Sequence, residues 1–151
     1  MTIINLMEAD MSRVQLALNV SDLDAAVAFY SKVFAASPAK LRPGYANFAI
    51  AEPPLKLVLI EGGGGPGSVN HLGVEVDSVE EVKAAQDRLS SDGLEVVVED
   101  EVTCCYAVQD KVWVTDPDGA PWEIYTVLAD SDVPAACCVD DPSSTAASMA
   151  N

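Results

Sequence analysis

The feature that most constrains the fold is a pattern of strand, helix cap and helix that occurs twice in the chain. The first copy begins with VQLALNV at residues 14–20 and the second with VNHLGVEV at residues 69–76. In both segments apolar residues alternate with other residues, which is typical of a strand with one face in the core. His71, the only histidine, and Gln15 occupy equivalent positions on the other face of these strands.

A similar order of elements follows each of these strands. Ser21 and Asp77 are predicted N-caps, since a carboxylate follows each of them three residues later, which is the capping-box pattern. We expect helices at 22–34 and 79–91, followed by strands at 39–42, 45–52, 55–60, 94–100, 106–115 and 121–127. The repeat predicts an α+β fold in which two paired β-α-β-β-β modules form one curved mixed sheet.

Segments without apolar periodicity separate and flank the two modules. We predict a flexible N-terminal extension at 1–12, module one at 13–61, a Gly-rich joint at 62–67, module two at 68–128 and a disordered acidic tail at 129–151. The joint, GGGGPG, has no lysine that could contact a phosphate. It is therefore interpreted as a flexible connection, and phosphate binding is the weaker alternative.

The charge balance excludes two classes of partner. The chain has 24 acidic and 8 basic residues and a formal net charge of −16. This charge repels phosphate backbones and anionic lipids, so neither nucleic acid nor a membrane is expected as a partner. No apolar run approaches the roughly 18 residues of a membrane span, and the N-terminus lacks the pattern of a signal peptide. We expect a cytoplasmic protein.

Three polar residues are expected to meet on the concave face of the predicted sheet. Gln15 and His71 lie on the first strands of the two modules, and Glu123 lies on the last strand, facing away from Trp122. An imidazole, a carboxylate and an amide oxygen suit a borderline divalent metal ion and leave open coordination positions. Each residue taken singly has an ordinary structural explanation, because most lone histidines are structural and most strand Gln and Glu side chains are solvated.

The four cysteines form two adjacent pairs, Cys104-Cys105 and Cys137-Cys138. Neighbouring cysteines close only a small strained ring, so these pairs do not suit a disulfide framework. The first pair is predicted in the loop before the penultimate strand. It is either a soft two-pronged ligand for a thiophilic centre, such as trivalent arsenic with one organic group, or two unrelated loop cysteines.

The paired modules and the segment VTDPDGAPWEIY at 114–125 resemble the vicinal oxygen chelate superfamily of glyoxalases, extradiol dioxygenases and fosfomycin or bleomycin resistance proteins. The resemblance implies that Gln15, His71 and Glu123 are metal ligands. Glyoxalases have a fourth metal ligand in the last strand of the first half. The matching residue of this chain is interpreted as Lys56, and Glu61 is the remaining candidate for a fourth ligand. A lysine is no ordinary metal ligand, so the resemblance favours a three-ligand site closer to the iron-dependent oxygenases.

Within this superfamily the segment TCCY at 103–106 resembles the organoarsenical lyases. The resemblance implies Fe(II) at the catalytic residues Gln15, His71 and Glu123, with dioxygen as co-substrate. It implies that Cys104 and Cys105 bind a trivalent organoarsenical, such as methylarsenite or a reduced aromatic arsenical, whose carbon–arsenic bond is cleaved to release arsenite.

Further expectations follow from the same resemblance. The pair at 137–138 is expected to be dispensable, and a homodimer is compatible with the superfamily, whose members are often dimers. Two alternatives remain. One is a glyoxalase- or extradiol-dioxygenase-type enzyme that uses another metal, and the other is a cadmium- or arsenic-binding resistance protein without turnover.

Overall fold

The computed structural model describes residues 12–132. Two helices and eight strands occur in this part of the chain, in the following order: β1 (Arg13–Val20), α1 (Leu23–Phe34), β2 (Lys40–Arg42), β3 (Tyr45–Ile50), β4 (Leu55–Glu61), β5 (Val69–Glu75), α2 (Val79–Ser91), β6 (Val97–Cys104), β7 (Ala107–Thr115) and β8 (Pro121–Asp130). Neither helix is long and apolar enough to cross a membrane. Residues 1–11 and 133–151, which include Cys137 and Cys138, lie outside the described part.

The eight strands form one mixed sheet in the order β2-β3-β4-β1-β5-β8-β7-β6. Strand β1 pairs in parallel with β4, and β5 pairs in the same way with β8, so the two modules have the same internal arrangement. The modules join through the antiparallel pair β1 and β5 at the centre of the sheet. The predicted fold of two paired β-α-β-β-β modules is therefore confirmed.

The helices cover one face of this sheet and leave the other face for polar side chains. Helix α1 contributes Leu23 to an apolar cluster with residues from β3 and β4, listed as Ala46, Phe48, Ile50, Leu57 and Leu59. Helix α2 buries Val82, Ala85 and Leu89 and contacts β7 and β8. Residues on the opposite face of the sheet, such as Gln15 and Ala17 on β1, face the concave side and are also buried.

Helix α2 begins at Val79 as predicted and helix α1 begins one residue later than predicted, but both N-caps differ from the prediction by one residue. The N-caps are Asp22 and Ser78 and not Ser21 and Asp77. Ser78 Oγ accepts a hydrogen bond of 3.2 Å from the Glu81 backbone N–H, and the Glu81 carboxylate accepts one of 3.2 Å from the backbone N–H of residue 77. At each helix start, two neighbouring residues have side chains that can cap a helix. The N-cap is the one whose side-chain oxygen accepts a hydrogen bond from the backbone N–H of the third helical residue.

In the second half, strands β6 and β8 differ most from the prediction. The strand expected at 94–100 is β6 at Val97–Cys104, so Cys104 ends a strand and only Cys105 and Tyr106 form the turn, with φ angles of 52° and 64°. Strand β8 extends to Asp130, because its last residues pair with the start of β7.

The sheet curls until its two edges meet. The ring of Tyr106, in the turn between β6 and β7, lies 5.4 Å from that of Tyr45 on β3, measured between centroids. Lys40 Nζ on the edge strand β2 donates hydrogen bonds of 2.9 Å to the Tyr106 carbonyl and to Asp130. These contacts bring the turn with the cysteine pair over the concave face.

Candidate metal centre

Gln15, His71 and Glu123 converge on the concave face, as the alternation of their strands predicts. Across the central strands Gln15 is in register with Gly73, which is in register with Glu123. Glu123 Oε2 lies 2.6 Å from Gln15 Nε2 and 3.0 Å from His71 Nε2, and the two nitrogens are 3.1 Å apart. All three side chains are buried. An imidazole nitrogen, a carboxylate oxygen and a carboxamide thus meet at one point.

Gly73 leaves the space that the Glu123 side chain occupies. A Cβ atom at this glycine would lie 2.8 Å from both Cγ and the carbonyl O of Glu123, and 3.3 Å from Gln15 Nε2. Contacts this short at backbone and buried atoms require the strands to move. A side chain at position 73 is therefore incompatible with the observed convergence.

Gly73→Ala is expected to destabilise the protein by about 1–3 kcal/mol, since overpacking a tight site costs this much. Urea unfolding measures the change. Gly65→Ala is the matched control, because a Cβ there would meet only Ser68 Oγ at 3.9 Å. Equal stability of Gly73→Ala and the wild type would contradict the tight packing described here.

Lys111 is a member of this site that the sequence reasoning missed. It is wholly buried on β7, and its Nζ atom lies 2.7 Å from Glu123 Oε1. The ammonium group also lies 5.4 Å and 5.7 Å from the ring centroids of Trp113 and Tyr125. The signal in the sequence is a lysine that alternates in phase with Trp113 on a mostly apolar strand. Lys111 contacts one carboxylate oxygen and leaves Oε2 to Gln15 and His71.

The ion pair keeps Glu123 ionised. Burial alone raises the pKa of a carboxyl group, but Lys111 and His71 outweigh burial and hold the pKa of Glu123 well below its usual range. The group is therefore a carboxylate throughout the neutral range. A deprotonated carboxylate is the form that binds a metal ion.

Tyr125 fixes the side chain of Gln15, the third residue of the site. Its hydroxyl donates a hydrogen bond of 2.5 Å to Gln15 Oε1. Burial, with the nearby Glu75 and Glu123 carboxylates, raises the pKa of Tyr125 well above its usual value, so the hydroxyl stays neutral. A phenol hydroxyl can also accept a hydrogen bond. The Gln15 carboxamide can therefore flip, so that Nε2 donates to the Tyr125 hydroxyl and Oε1 faces His71.

The interpretation of Lys56 as the counterpart of Glu123 is wrong by two residues. Glu123 pairs with Gly73, two residues after His71, and the equivalent residue after Gln15 is Ala17, which pairs with Val58. Lys56 is instead in register with Gln15, and its Nζ atom lies 3.7 Å from Glu75.

Glu61, the other candidate fourth ligand, lies elsewhere. Its carboxylate accepts a hydrogen bond of 3.0 Å from the Leu23 backbone N–H at the start of helix α1. In the described residues, the first module therefore contributes Gln15 to the site and no carboxylate at the position that repeats Glu123. The set of three metal ligands stays a prediction.

The first cysteine pair lies on the same concave face as the three converging residues. Cys104 is 2% exposed and packs in a cluster with Ala17, Tyr45, Val58, Ile60 and Tyr106, against which Cys105 also packs. Ala17 is in register with His71 and two residues from Gln15. The two Sγ atoms are 3.6 Å apart, much longer than the roughly 2.05 Å of a disulfide bond, so they are not bonded to each other.

Alkaline pH is expected to destabilise the protein through Tyr45, beside the cysteine pair. Burial raises the pKa of Tyr45 from 10.0 to about 12. Because the folded pKa is raised, the stabilisation is complete below pH 10 and is lost as pH rises towards 12, by about 2–3 kcal/mol. Urea unfolding across this range should show a smaller loss for Tyr45→Phe than for the wild type. Equal slopes would contradict the assignment.

The fold and the site define a class of protein. A curled, mixed eight-stranded half-barrel with polar residues on its concave face is the fold of glyoxalases and extradiol dioxygenases. The Mn(II)-bound glyoxalase from Novosphingobium aromaticivorans superposes with a TM-score of 0.57 at 22% identity, over 83% of this chain and 43% of that one. Homoprotocatechuate 2,3-dioxygenase from Arthrobacter globiformis gives 0.57 at 23% identity, over 82% and 38%.

Sequence comparison assigns the family. Residues 12–124 match the Glyoxalase/Bleomycin resistance protein/Dioxygenase superfamily, and the chain belongs to it. A trivalent organoarsenical cleaving enzyme of Thermomonospora curvata is 58% identical over 142 residues, which are 90% of this chain and 94% of that protein. The cadmium-induced protein CadI of Mycobacterium tuberculosis is 64% identical over 122 residues, 81% of this chain and 80% of the relative.

Proposed function

We propose that this protein is an enzyme that cleaves the carbon–arsenic bond of trivalent organoarsenicals and releases arsenite, with Fe(II) as cofactor and dioxygen as co-substrate. The observation that carries the proposal is the placement of Cys104 and Cys105 on the same concave face as Gln15, His71 and Glu123. The similarity to organoarsenical cleaving enzymes at 58% and 41% identity supports it. Thiolate chemistry requires reduced cysteines, which suits the cytoplasm.

The residues of the site fit a divalent metal ion. His71 would bind it through Nε2 and Glu123 through Oε2. Gln15 would bind it through Oε1 after a flip of the carboxamide. Because Gly73 has no Cβ atom, Glu123 and Gln15 lie close enough together for both to hold one ion. Three protein ligands on one side leave open positions, and Fe(II) bound there would supply the activation of dioxygen.

The cysteine pair would bind and orient the substrate. The two sulfur atoms are 3.6 Å apart in this structure, and as a dithiol the pair would contact one arsenic atom through both of them. Trivalent arsenic with one organic substituent would exchange its two hydroxyls for these two sulfur atoms and keep the carbon, and the hydroxyls would leave as two water molecules with the thiol protons. Tyr45 and Tyr106 flank the pair and give the organic group an apolar wall. Fixing the arsenic in this way supplies proximity and orientation for cleavage of the carbon–arsenic bond.

An anaerobic assay tests the proposal. The protein is mixed under argon with ferrous iron and a trivalent aromatic arsenical, air is then admitted, and arsenic species are separated and quantified. We expect arsenite to appear only after oxygen enters. No arsenite after oxygenation would refute the lyase. Turnover under argon with nickel, zinc or manganese would point instead to a glyoxalase-type enzyme.

A second candidate function is soft-metal binding without turnover. The 64% identity to a cadmium-induced protein favours it, and so do the two neighbouring sulfur atoms. A binding protein of this kind would take up cadmium or arsenic in stoichiometric amounts and leave the carbon–arsenic bond intact. The same assay separates the two functions, because bound organoarsenical would be recovered unchanged.

A further inference from the structure

A chain of side-chain hydrogen bonds connects the Nδ1 edge of His71 with the Gly-rich loop 62–67. It runs in order through Asn70, Asn19 and Ser68 to the carbonyl O of Gly65. The successive distances between donor and acceptor atoms are 2.7, 2.9, 2.9 and 2.5 Å. The proposed metal centre does not use these residues, and the loop was interpreted from the sequence only as a flexible joint.

The carbonyl group at the end of the chain sets the direction of every bond. A carbonyl can only accept, so the Ser68 hydroxyl donates its hydrogen to Gly65 and accepts from Asn19 Nδ2. Asn19 then presents Oδ1 to Asn70 Nδ2, which leaves Asn70 Oδ1 facing His71. Since this atom only accepts, Nδ1 of His71 carries the proton.

A second contact of Asn70 agrees with this direction. Asn70 Nδ2 lies 3.4 Å from the carbonyl O of Gly63, a second group that can only accept. At the other edge of the imidazole, Gln15 Nε2 lies 3.1 Å from His71 Nε2. Glu123 Oε2, which only accepts, lies 3.0 Å from the same nitrogen, so Nε2 can hold a proton towards this carboxylate or release it to bind a metal ion.

The glycines of the loop allow it to hold Asn19. A Cβ atom at Gly63 would lie 2.8 Å from Asn19 Oδ1, and one at Gly64 would lie 2.8 Å from Asn19 Nδ2. The backbone of the loop thus packs directly against the Asn19 carboxamide, and larger residues would displace it. The loop therefore has a structural requirement for glycine beyond flexibility.

We propose that Asn70 is a positioning residue for His71, fixed by Asn19, Ser68 and the Gly-rich loop, and that it keeps Nε2 directed at the point where Gln15 and Glu123 converge. The inference rests on the metal centre of the proposed function. A neutral imidazole binds a metal through its unprotonated nitrogen, and a partner on the other nitrogen fixes the tautomer and the ring orientation. Loss of such a partner typically weakens metal binding by about 10–100-fold.

The test compares Asn70→Leu with Asn70→Asp in the full chain, using Zn²⁺ as the probe. Leucine has a similar volume and no acceptor, whereas aspartate keeps the acceptor oxygen. Competition with a chromophoric chelator should show zinc affinity about 10–100-fold lower for the leucine variant. The loss should be smaller for aspartate, which keeps the acceptor for His71 but lacks the Nδ2 donor to Asn19. An open cleft of about 380 Å³ borders Asn70 and His71, so water can partly replace the lost acceptor, which favours the lower end of this range.

A second readout follows the proton itself. His71 is the only histidine, so selective ¹⁵N-histidine labelling gives one pair of ring nitrogen signals. In the zinc-loaded wild type and aspartate variant, the Nδ1–H proton should be observable and slow to exchange. In the leucine variant it should be lost to exchange with water. A protein in which His71 is merely packed would not show this difference.

The outcomes separate this inference from the proposed function. If the wild type binds no zinc, the metal centre itself is refuted, and the inference with it. If the wild type binds zinc and the leucine variant binds equally well with a protected Nδ1–H, only the inference is overturned. If Asn70→Leu does not fold, Ser68→Ala, at the far end of the hydrogen-bond chain, is tested in its place. A severalfold loss of affinity would then support the inference, and unchanged affinity would overturn it.

Discussion

Cys104→Ser is expected to reduce arsenite release from a trivalent aromatic arsenical by at least about 100-fold while iron binding is retained. A serine hydroxyl is a poor ligand for arsenic, so the substrate would be held by Cys105 alone and would lose its fixed orientation. Arsenic speciation after incubation with ferrous iron and oxygen measures the effect. Because Cys104 is 2% exposed, a melting curve should accompany the assay, since a buried hydroxyl costs about 1–3 kcal/mol without a partner.

Two further variants make this prediction specific. Cys105→Ser should show the same loss, because both sulfur atoms are required to hold the arsenic. A double substitution of Cys137 and Cys138 by serine should keep wild-type activity, since that pair is expected to be dispensable. Full activity of either Cys104→Ser or Cys105→Ser would remove the pair from the mechanism.

Lys111→Met is expected to destabilise the protein by about 3–5 kcal/mol, because it leaves the Glu123 carboxylate buried without a cation. Lys111 is wholly buried and lies 2.7 Å from Glu123 Oε1. Urea unfolding at neutral pH measures the loss. Without Lys111 the carboxyl group protonates more easily, so the deficit of the variant should narrow as the pH falls.

The double variant Lys111→Met, Glu123→Leu is the control. Replacing both partners of a buried ion pair by apolar residues is often close to neutral, so the double variant should recover most of the stability. A single Lys111→Met variant that unfolds at the same urea concentration as the wild type would show that Glu123 has no need of this cation.

The fold was predictable because it depends on a pattern that occurs twice. Alternating apolar residues and a cap before each helix predict two similar modules, and short-range rules place most elements. The boundaries were less certain, since Ser21 and Asp22 can both cap a helix. Strand β6 begins later than predicted because its bounds depend on pairing with β7. Local sequence patterns do not predict this pairing.

The convergence of Gln15, His71 and Glu123 was also predictable, because each follows from strand alternation and from the pairing of two modules. Lys111 was not, since a charged strand residue is normally expected in solvent. Its burial depends on Glu123 on the adjacent strand, and only the three-dimensional arrangement shows this pair. The mistaken choice of Lys56 over Val58 has a similar cause, because strand register differs by two residues between the alternatives.

Val58 has a consequence for the charge of the proposed centre. It occupies the position at which the internal repeat would allow a second acidic ligand, so a dication held by this chain would be balanced by a single carboxylate. The assembly would stay cationic, and the buried ammonium group of Lys111 adds to that excess. An anion bound at the open coordination positions would then restore electroneutrality, which gives anionic ligands an advantage over neutral ones.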